Sequence, residues 1–284
     1  MTCPFLREAQ VKYCRSAAVR KLIPLTLAVQ TDEKCGTAQY TSCSAYAARR
    51  EEDAPAFGPC PYLRESLMQY CGAAPVAKFV PYSESLISRC GNDSFRYCEV
   101  YLGMAHPSVG TQRGDEIAIP AWLRYSPNHM WLDVTDDGVC HAGIDAFLSR
   151  ALGKVERVSY VWQKGVRRPA AVLTVNGIDL EVTFPNSLML TGCNLYLRAD
   201  PSRLATDPYT SGWLFEGTPL EETARGLMEG EAARHWMQRE QARMNEFLQQ
   251  QTGCIADGGM FSAGLPRVLE REQALALFHE FFYL

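Results

Sequence analysis

Thiols give this chain its most evident chemical capacity. Eight of its eleven cysteines lie in the first 98 residues, in two matching rows: Cys3, Cys14, Cys35 and Cys43, then Cys60, Cys71, Cys90 and Cys98. The steps are 11, 21 and 8 residues in the first row and 11, 19 and 8 in the second, so only the middle loop differs in length. The agreement extends past the thiols. Cys3-Pro4-Phe5-Leu6-Arg7-Glu8 is answered by Cys60-Pro61-Tyr62-Leu63-Arg64-Glu65, and Tyr13-Cys14 by Tyr70-Cys71. Val19, Lys21 and Pro24 return as Val76, Lys78 and Pro81 at the same offset of 57. A four-thiol set written twice points to two four-thiolate metal sites.

Four thiolates satisfy either a tetrahedral zinc ion or the irons of a cubane cluster. Structural zinc sites usually pair cysteines two to four residues apart in tight knuckles, and no such pair occurs in these rows. Widely spaced ligands suit a larger inorganic core approached from several sides, which favours two [4Fe-4S] clusters over two zinc ions. The Cys3-Pro4 and Cys60-Pro61 steps resemble the Cys-Pro of bacterial ferredoxins. Phe5, Tyr13, Tyr40, Tyr62, Tyr70, Phe95 and Tyr97 would supply apolar surroundings for a cluster, or simply form core. Either metal leaves a net charge of about −2 per site, which Arg15, Lys34, Arg64 and Arg89 would offset unless they are ordinary solvated surface. One site per copy is the simplest grouping. Exchange between copies stays open, because in two-cluster ferredoxins the last cysteine of a motif serves the other cluster.

The elements that must position these thiols follow from composition and periodicity. A chain of 284 residues with 47% hydrophobic content is ordinary for about two globular domains. No apolar run approaches the ~18 residues of a membrane helix, and Cys3 leaves no room for a secretion signal ahead of the first motif. The expected setting is therefore the cytoplasm, where clustered thiols are ligands or redox centres rather than disulfides. A net charge of −4 disfavours a nucleic-acid-binding face. Residues 1–104 form the cysteine module, with copies at about 3–46 and 60–101. It is expected to be mainly helical or irregular, with short helices around Arg7–Lys12, Ala17–Leu22 and Ser83–Ser88. Residues 105–120 read as a linker.

After Pro120 the texture changes to strands. Val155–Trp162 and Ala170–Val175 are rich in β-formers, and Ile178–Phe184 alternates apolar with polar. Asn176-Gly177 between the last two is a strong hairpin signal, because both positions of a type I′ turn need positive φ. Past Pro219, Leu220, Ala224, Leu227 and Met228, then Met237, Met244 and Leu248, recur at helical spacing. A loop around Thr252–Ala263 precedes a last helix that sets Val268, Leu269, Leu275, Phe278 and Phe282 on one side as core.

Tyr125-Ser126-Pro127-Asn128-His129-Met130-Trp131, Gly143-Ile144-Asp145, Leu152-Gly153-Lys154-Val155, Asp207-Pro208-Tyr209 and Gly212-Trp213-Leu214 together resemble the glycine cleavage system H proteins. That family's words run in the same order at similar separations. The resemblance covers about residues 121–218. It implies an α+β chain whose second part is a barrel-sandwich hybrid of the lipoyl/biotinyl type, with a helical extension over 219–284. The family carries lipoate on a hairpin lysine in a Glu-Ser-Val-Lys-Ala context. Here Asn176 stands at that position, and Lys164 is the last lysine of the sequence. An amide nitrogen, its lone pair delocalised into the carbonyl, cannot be acylated as an amine is, so no lipoate is expected.

No catalytic constellation is identified. Cys140, Cys193 and Cys254 read as small buried hydrophobes, His129 as a structural histidine of the family word, and His106, His235 and His279 lack metal-site spacing. No phosphate loop or serine elbow is present. The sequence thus points to a non-enzymatic subunit with two metal sites, which transfers or senses electrons while docked to a protein partner, with no nucleic-acid or membrane partner. The alternatives are a zinc-stapled adaptor or assembly protein, and a lipoate carrier.

Overall fold

Leu6–Cys14 (β1) is a strand, followed by Leu22–Pro24 (β2), two short 3-10 turns at Lys34–Gly36 and Ala38–Ser42, and the single helical turn Ser44–Ala47 (α1). The second copy repeats this order: Leu63–Cys71 (β3), Lys78–Val80 (β4), 3-10 turns at Arg89–Gly91 and Asp93–Tyr97, and Glu99–Ala105 (α2). The computed structural model describes residues 2–16, 22–24, 34–48, 58–74, 78–80, 89–105, 117–136, 138–161, 165–252 and 261–283. The chain divides into two compact units, Met1–Phe95 and Arg96–Leu284.

The first unit is built on an antiparallel sheet of order β2-β1-β3-β4. Its central strands are the equivalent strands of the two copies, paired along their whole length from Leu6 opposite Cys71 to Cys14 opposite Leu63. Midway, Gln10 faces Leu67, its own counterpart 57 residues on. The copies are therefore related by a local two-fold axis through that pair. This corrects the expectation of a mainly helical module, and of a helix over Arg7–Lys12 in particular. Arg, Glu, Ala, Gln and Lys favour helix intrinsically, but the preference is weak and yields to tertiary pairing. Ala9, Val11 and Tyr13 alternate along one face of β1, and Val11 is fully buried. The helix expected at Ser83–Ser88 lies outside the described residues, as do residues 17–21 of the one expected at Ala17–Leu22.

The second unit contains β5 (Arg124–Tyr125), β6 (Met130–Val134), β7 (Cys140–Ile144), α3 (Ala146–Leu152), β8 (Arg157–Val161), β9 (Gly165–Arg167), β10 (Ala170–Val175), β11 (Ile178–Thr183), β12 (Leu188–Cys193), α4 (Arg203–Thr206), β13 (Phe215–Pro219), α5 (Gly230–Thr252) and α6 (Arg271–Phe281). A three-stranded sheet, β11-β10-β8, accompanies a six-stranded sheet, β5-β6-β7-β13-β12-β9. Inward residues alternate along β10 and β11, as the pattern of apolar and polar residues requires. Trp131, Phe147, Phe184 and Phe215 fill the interior. Ala233 and Met237 of α5 and Leu277 and Phe281 of α6 join the same core.

Two boundaries differ from the sequence reading. Tyr97 and Glu99 pack with the second unit: Tyr97 stacks on His141 at 3.9 Å and donates to Asp133 at 2.5 Å, and Arg203 grips both Glu99 carboxylate oxygens at 2.7 Å. Helix α5 starts at Gly230, whereas Leu220–Met228 forms turns that end in a bridge between Tyr125 and Met228. Gly226 and Gly230 sit at φ 73° and 55°, a left-handed conformation that interrupts a helix. Residues 106–116 of the expected linker lie outside the described residues. Among the described residues no helix is long and apolar enough to cross a membrane.

Candidate functional site

In the first unit each thiol inherits its place from the repeated framework. Cys3 and Cys60 are buried residues of the exposed loops just before β1 and β3; Cys14 and Cys71 end those strands. Cys35 and Cys90 lie inside the 3-10 turns Lys34–Gly36 and Arg89–Gly91. Cys43 joins the next 3-10 turn to α1, its N–H donating to the Tyr40 carbonyl at 2.9 Å. Cys98 immediately precedes α2 and belongs to the second unit. Among the described residues none of the eight is joined in a disulfide.

The backbone bonds around them come in matched pairs. Cys60 N–H donates to the Cys35 carbonyl at 2.7 Å, and Cys3 N–H to the Cys90 carbonyl at 2.8 Å. Arg15 N–H reaches the Tyr62 carbonyl at 3.0 Å, and Gly72 N–H the Phe5 carbonyl at 2.8 Å. Arg7 and Arg64 each turn a guanidinium back onto the proline carbonyl three residues earlier, at 2.8 and 2.9 Å. Around Cys60 a small apolar cluster forms from Tyr40 and Tyr46, with Cys35, Cys43, Tyr62 and Leu63 packed against it. Tyr40 and Tyr46 meet edge to face at 4.8 Å. Among the described residues no three cysteine, histidine or acidic side chains already converge on one point as metal ligands would.

The second unit presents the hairpin tip. Asn176 and Gly177 have φ of 49° and 69°, the pair of left-handed residues that a type I′ turn demands. The Asn176 amide donates from Nδ2 to the Pro266 carbonyl at 3.0 Å, which ties the tip to the turn Leu265–Arg267. Cys140 lies inside β7, where burial pushes its thiol pKa up to about 12. Burial likewise raises that of Cys193, at the end of β12. Neither is activated as a nucleophile must be. Cys254 lies outside the described residues.

His129 was expected to be structural, but the partners it takes were not foreseen. His129, at φ 61° and fully buried, places Nδ1 2.8 Å from Asp145 Oδ2 and Nε2 3.6 Å from Glu240 Oε2. Phe147 stacks on its ring at 4.1 Å, and Trp236 of α5 lies 4.7 Å away. Burial alone would depress the imidazole pKa, but the Asp145 and Glu240 carboxylates outweigh it and the net shift is upward. Glu240 is held low: burial acts to raise it, while His129 and Arg243 draw it down further. Asp145 also caps α3, accepting from Leu148 N–H at 2.9 Å. The network joins a turn, a helix cap and α5, so it reads as structural. Glu240 stands 111 positions beyond His129, and no local signal announces it.

Two antiparallel sheets sharing one core and a type I′ hairpin are the features of a lipoyl-like domain. Residues 123–240 match the family model described as Glycine cleavage H-protein. The chain is 31% identical over 104 residues to the glycine cleavage system H protein of Psychrobacter sp. (strain PRwf-1), covering 36% of this chain and 82% of that one. It is 30% identical over 118 residues to that of Halorhodospira halophila, covering 40% and 91%. A solved glycine cleavage system H protein from Mycobacterium marinum is similar at 23% identity with a TM-score of 0.38, covering 43% of this chain and 98% of its own. The chain belongs to the glycine cleavage H-protein family. The match begins at residue 123, so all eight duplicated cysteines precede it.

The family words have steric reasons here. A Cβ on Gly143 would stand 2.8 Å from the Trp131 ring, and one on Gly212 2.8 Å from the Asp207 carbonyl. Trp131 Nε1 donates to the Pro208 carbonyl at 3.1 Å, so two of the words meet in one bond.

Proposed function

We propose that this chain is a non-lipoylated H-protein-like subunit carrying two four-cysteine metal sites, [4Fe-4S] in character, and that it transfers or senses electrons while docked to a protein partner. The observation that carries the reading is the duplicated cysteine framework, in which equivalent thiols occupy equivalent turns on either side of a local two-fold axis. The wide ligand spacing favours a cluster over zinc knuckles. A cluster held by these cysteine sets would supply one-electron chemistry, in the apolar surroundings that Tyr40 and Tyr46 provide beside Cys60. The carrier hairpin supports the same reading from the other side. Asn176 has no nucleophilic nitrogen, and its side chain is committed to Pro266.

Anaerobic purification with iron, sulfide and zinc analysis tests the proposal, together with visible absorbance before and after dithionite. A brown chromophore that bleaches on reduction is the expected result. Stoichiometric zinc without sulfide would establish instead the second reading, a zinc-stapled adaptor, which the four-thiolate sets would equally serve. A lipoyl adduct in the intact mass would overturn the assignment of Asn176 and restore a carrier role.

A further inference from the structure

The matched backbone bonds cross between the copies, and this bears on which thiols share a metal. Resting on the two-site reading above, we infer that the first cysteine of each copy serves the other copy's site. The set lying wholly within the first unit is then Cys14, Cys35, Cys43 and Cys60, and not Cys3, Cys14, Cys35 and Cys43.

Three observations carry the assignment. Cys60 N–H donates to the Cys35 carbonyl at 2.7 Å, whereas Cys3 N–H donates to Cys90, in the second copy, at 2.8 Å. Cys60 is the buried centre of the small cluster against which Cys35 and Cys43 pack. Cys14 stands directly opposite Leu63 in the β1–β3 ladder. Residues opposed across an antiparallel pair project to the same face, and Leu63 packs on the Cys60 cluster, so Cys14 is delivered to that side. Ser16 Oγ bonds the Ala45 carbonyl at 2.6 Å and fastens the end of β1 to α1 beside Cys43.

The cause is the antiparallel pairing of the copies. Strand β1 starts beside the end of β3, so Cys3 lies near the far end of the opposite copy and Cys60 near the far end of its own partner strand. Within one copy, Cys3 lies before the start of the nine-residue β1 and Cys14 at its end, and the two ends of that strand stand about 26 Å apart at ~3.3 Å per residue. A strand held in a ladder cannot fold back to bring those two thiols onto one ion. The distance excludes the within-copy grouping for as long as β1 stays paired.

Metal stoichiometry of the full chain distinguishes the two groupings through paired substitutions. Starting from two occupied sites, Cys35→Ser and Cys60→Ser should each empty one. The double variant C35S/C60S should still keep one occupied, because both thiols serve the same site. C3S/C35S should keep none. The reverse pattern, one occupied site in C3S/C35S and none in C35S/C60S, would overturn the inference. Where single substitutions release both metals, the natural chain is stripped of metal, oxidised mildly with diamide and peptide-mapped. Cys60 joined to Cys14, Cys35 or Cys43 is expected; Cys3 joined to any of those three refutes the exchange. A natural chain that purifies and reconstitutes without metal sinks the two-site reading, while the disulfide map still decides the grouping.

Discussion

Cys140 shows how far burial alone can settle the chemistry of a residue. Beside His141 in sequence it has the look of a nucleophile, yet with its pKa pushed up to about 12 almost none of it is thiolate at neutral pH. Iodoacetamide at pH 7, applied to the metal-free native chain, should modify thiols of the duplicated rows and leave Cys140 untouched; rapid labelling at Cys140 would revive a catalytic role. His129 and Glu240 give a second residue-scale prediction. The raised imidazole contributes stability that is complete below its unfolded value of about 6.5 and is lost as pH rises through the higher folded value. The depressed Glu240 contributes stability that is complete above about 4.3 and is lost as pH falls through its lower folded value. Between those limits both are present. Glu240→Gln should therefore reduce the fall in melting temperature between pH 6 and pH 8.5, and an unchanged fall would show that the pair is not coupled.

At the scale of elements, what could be read from sequence was what is local. The Asn176-Gly177 hairpin was legible because two adjacent residues encode its turn, and the family words were legible because Gly143 and Gly212 admit no Cβ. Strand β1 was not, since its partner is its own repeat 57 residues away and its residues taken alone prefer helix. Residues 220–229 misled in a similar way, their apolar spacing helical but interrupted by glycines at positive φ. The hairpin also yields a graded test. Asn176→Gly should cost about 1 kcal/mol through the lost bond to Pro266. Asn176→Val should cost about 1–2 kcal/mol more, because a β-branched residue is strained at φ 49°. Thermal melts followed by tryptophan emission should order the three proteins accordingly. Equal losses in the two variants would mean that the left-handed backbone is not held at the tip.

At the scale of the whole molecule, the chain joins a duplicated thiol module to a domain of the glycine cleavage H-protein family. The duplication of the thiols was legible as a count and a spacing. Their grouping was not, because only the register of β1 on β3 shows which thiols are neighbours. All five tryptophans fall after residue 95, so their emission reports on the second unit alone. Replacing Cys14, Cys35, Cys43 and Cys60 together by serine should leave the emission maximum and the tryptophan-monitored melt as in the natural chain. A red-shifted maximum would show that the barrel core depends on the thiol module.

The pairing of Gln10 with its own counterpart Leu67 has an evolutionary reading. A strand that pairs with its repeat about a two-fold axis would pair equally with the same strand of a second molecule. A chain bearing one copy would expose that edge and associate as a symmetric dimer, since an unpaired strand edge recruits another. Gene duplication with fusion would have captured such a dimer within one polypeptide, replacing a concentration-dependent encounter by an effective concentration in the millimolar range. A chain carrying a single copy should consequently dimerise as its own concentration rises, which the fused chain has no need to do.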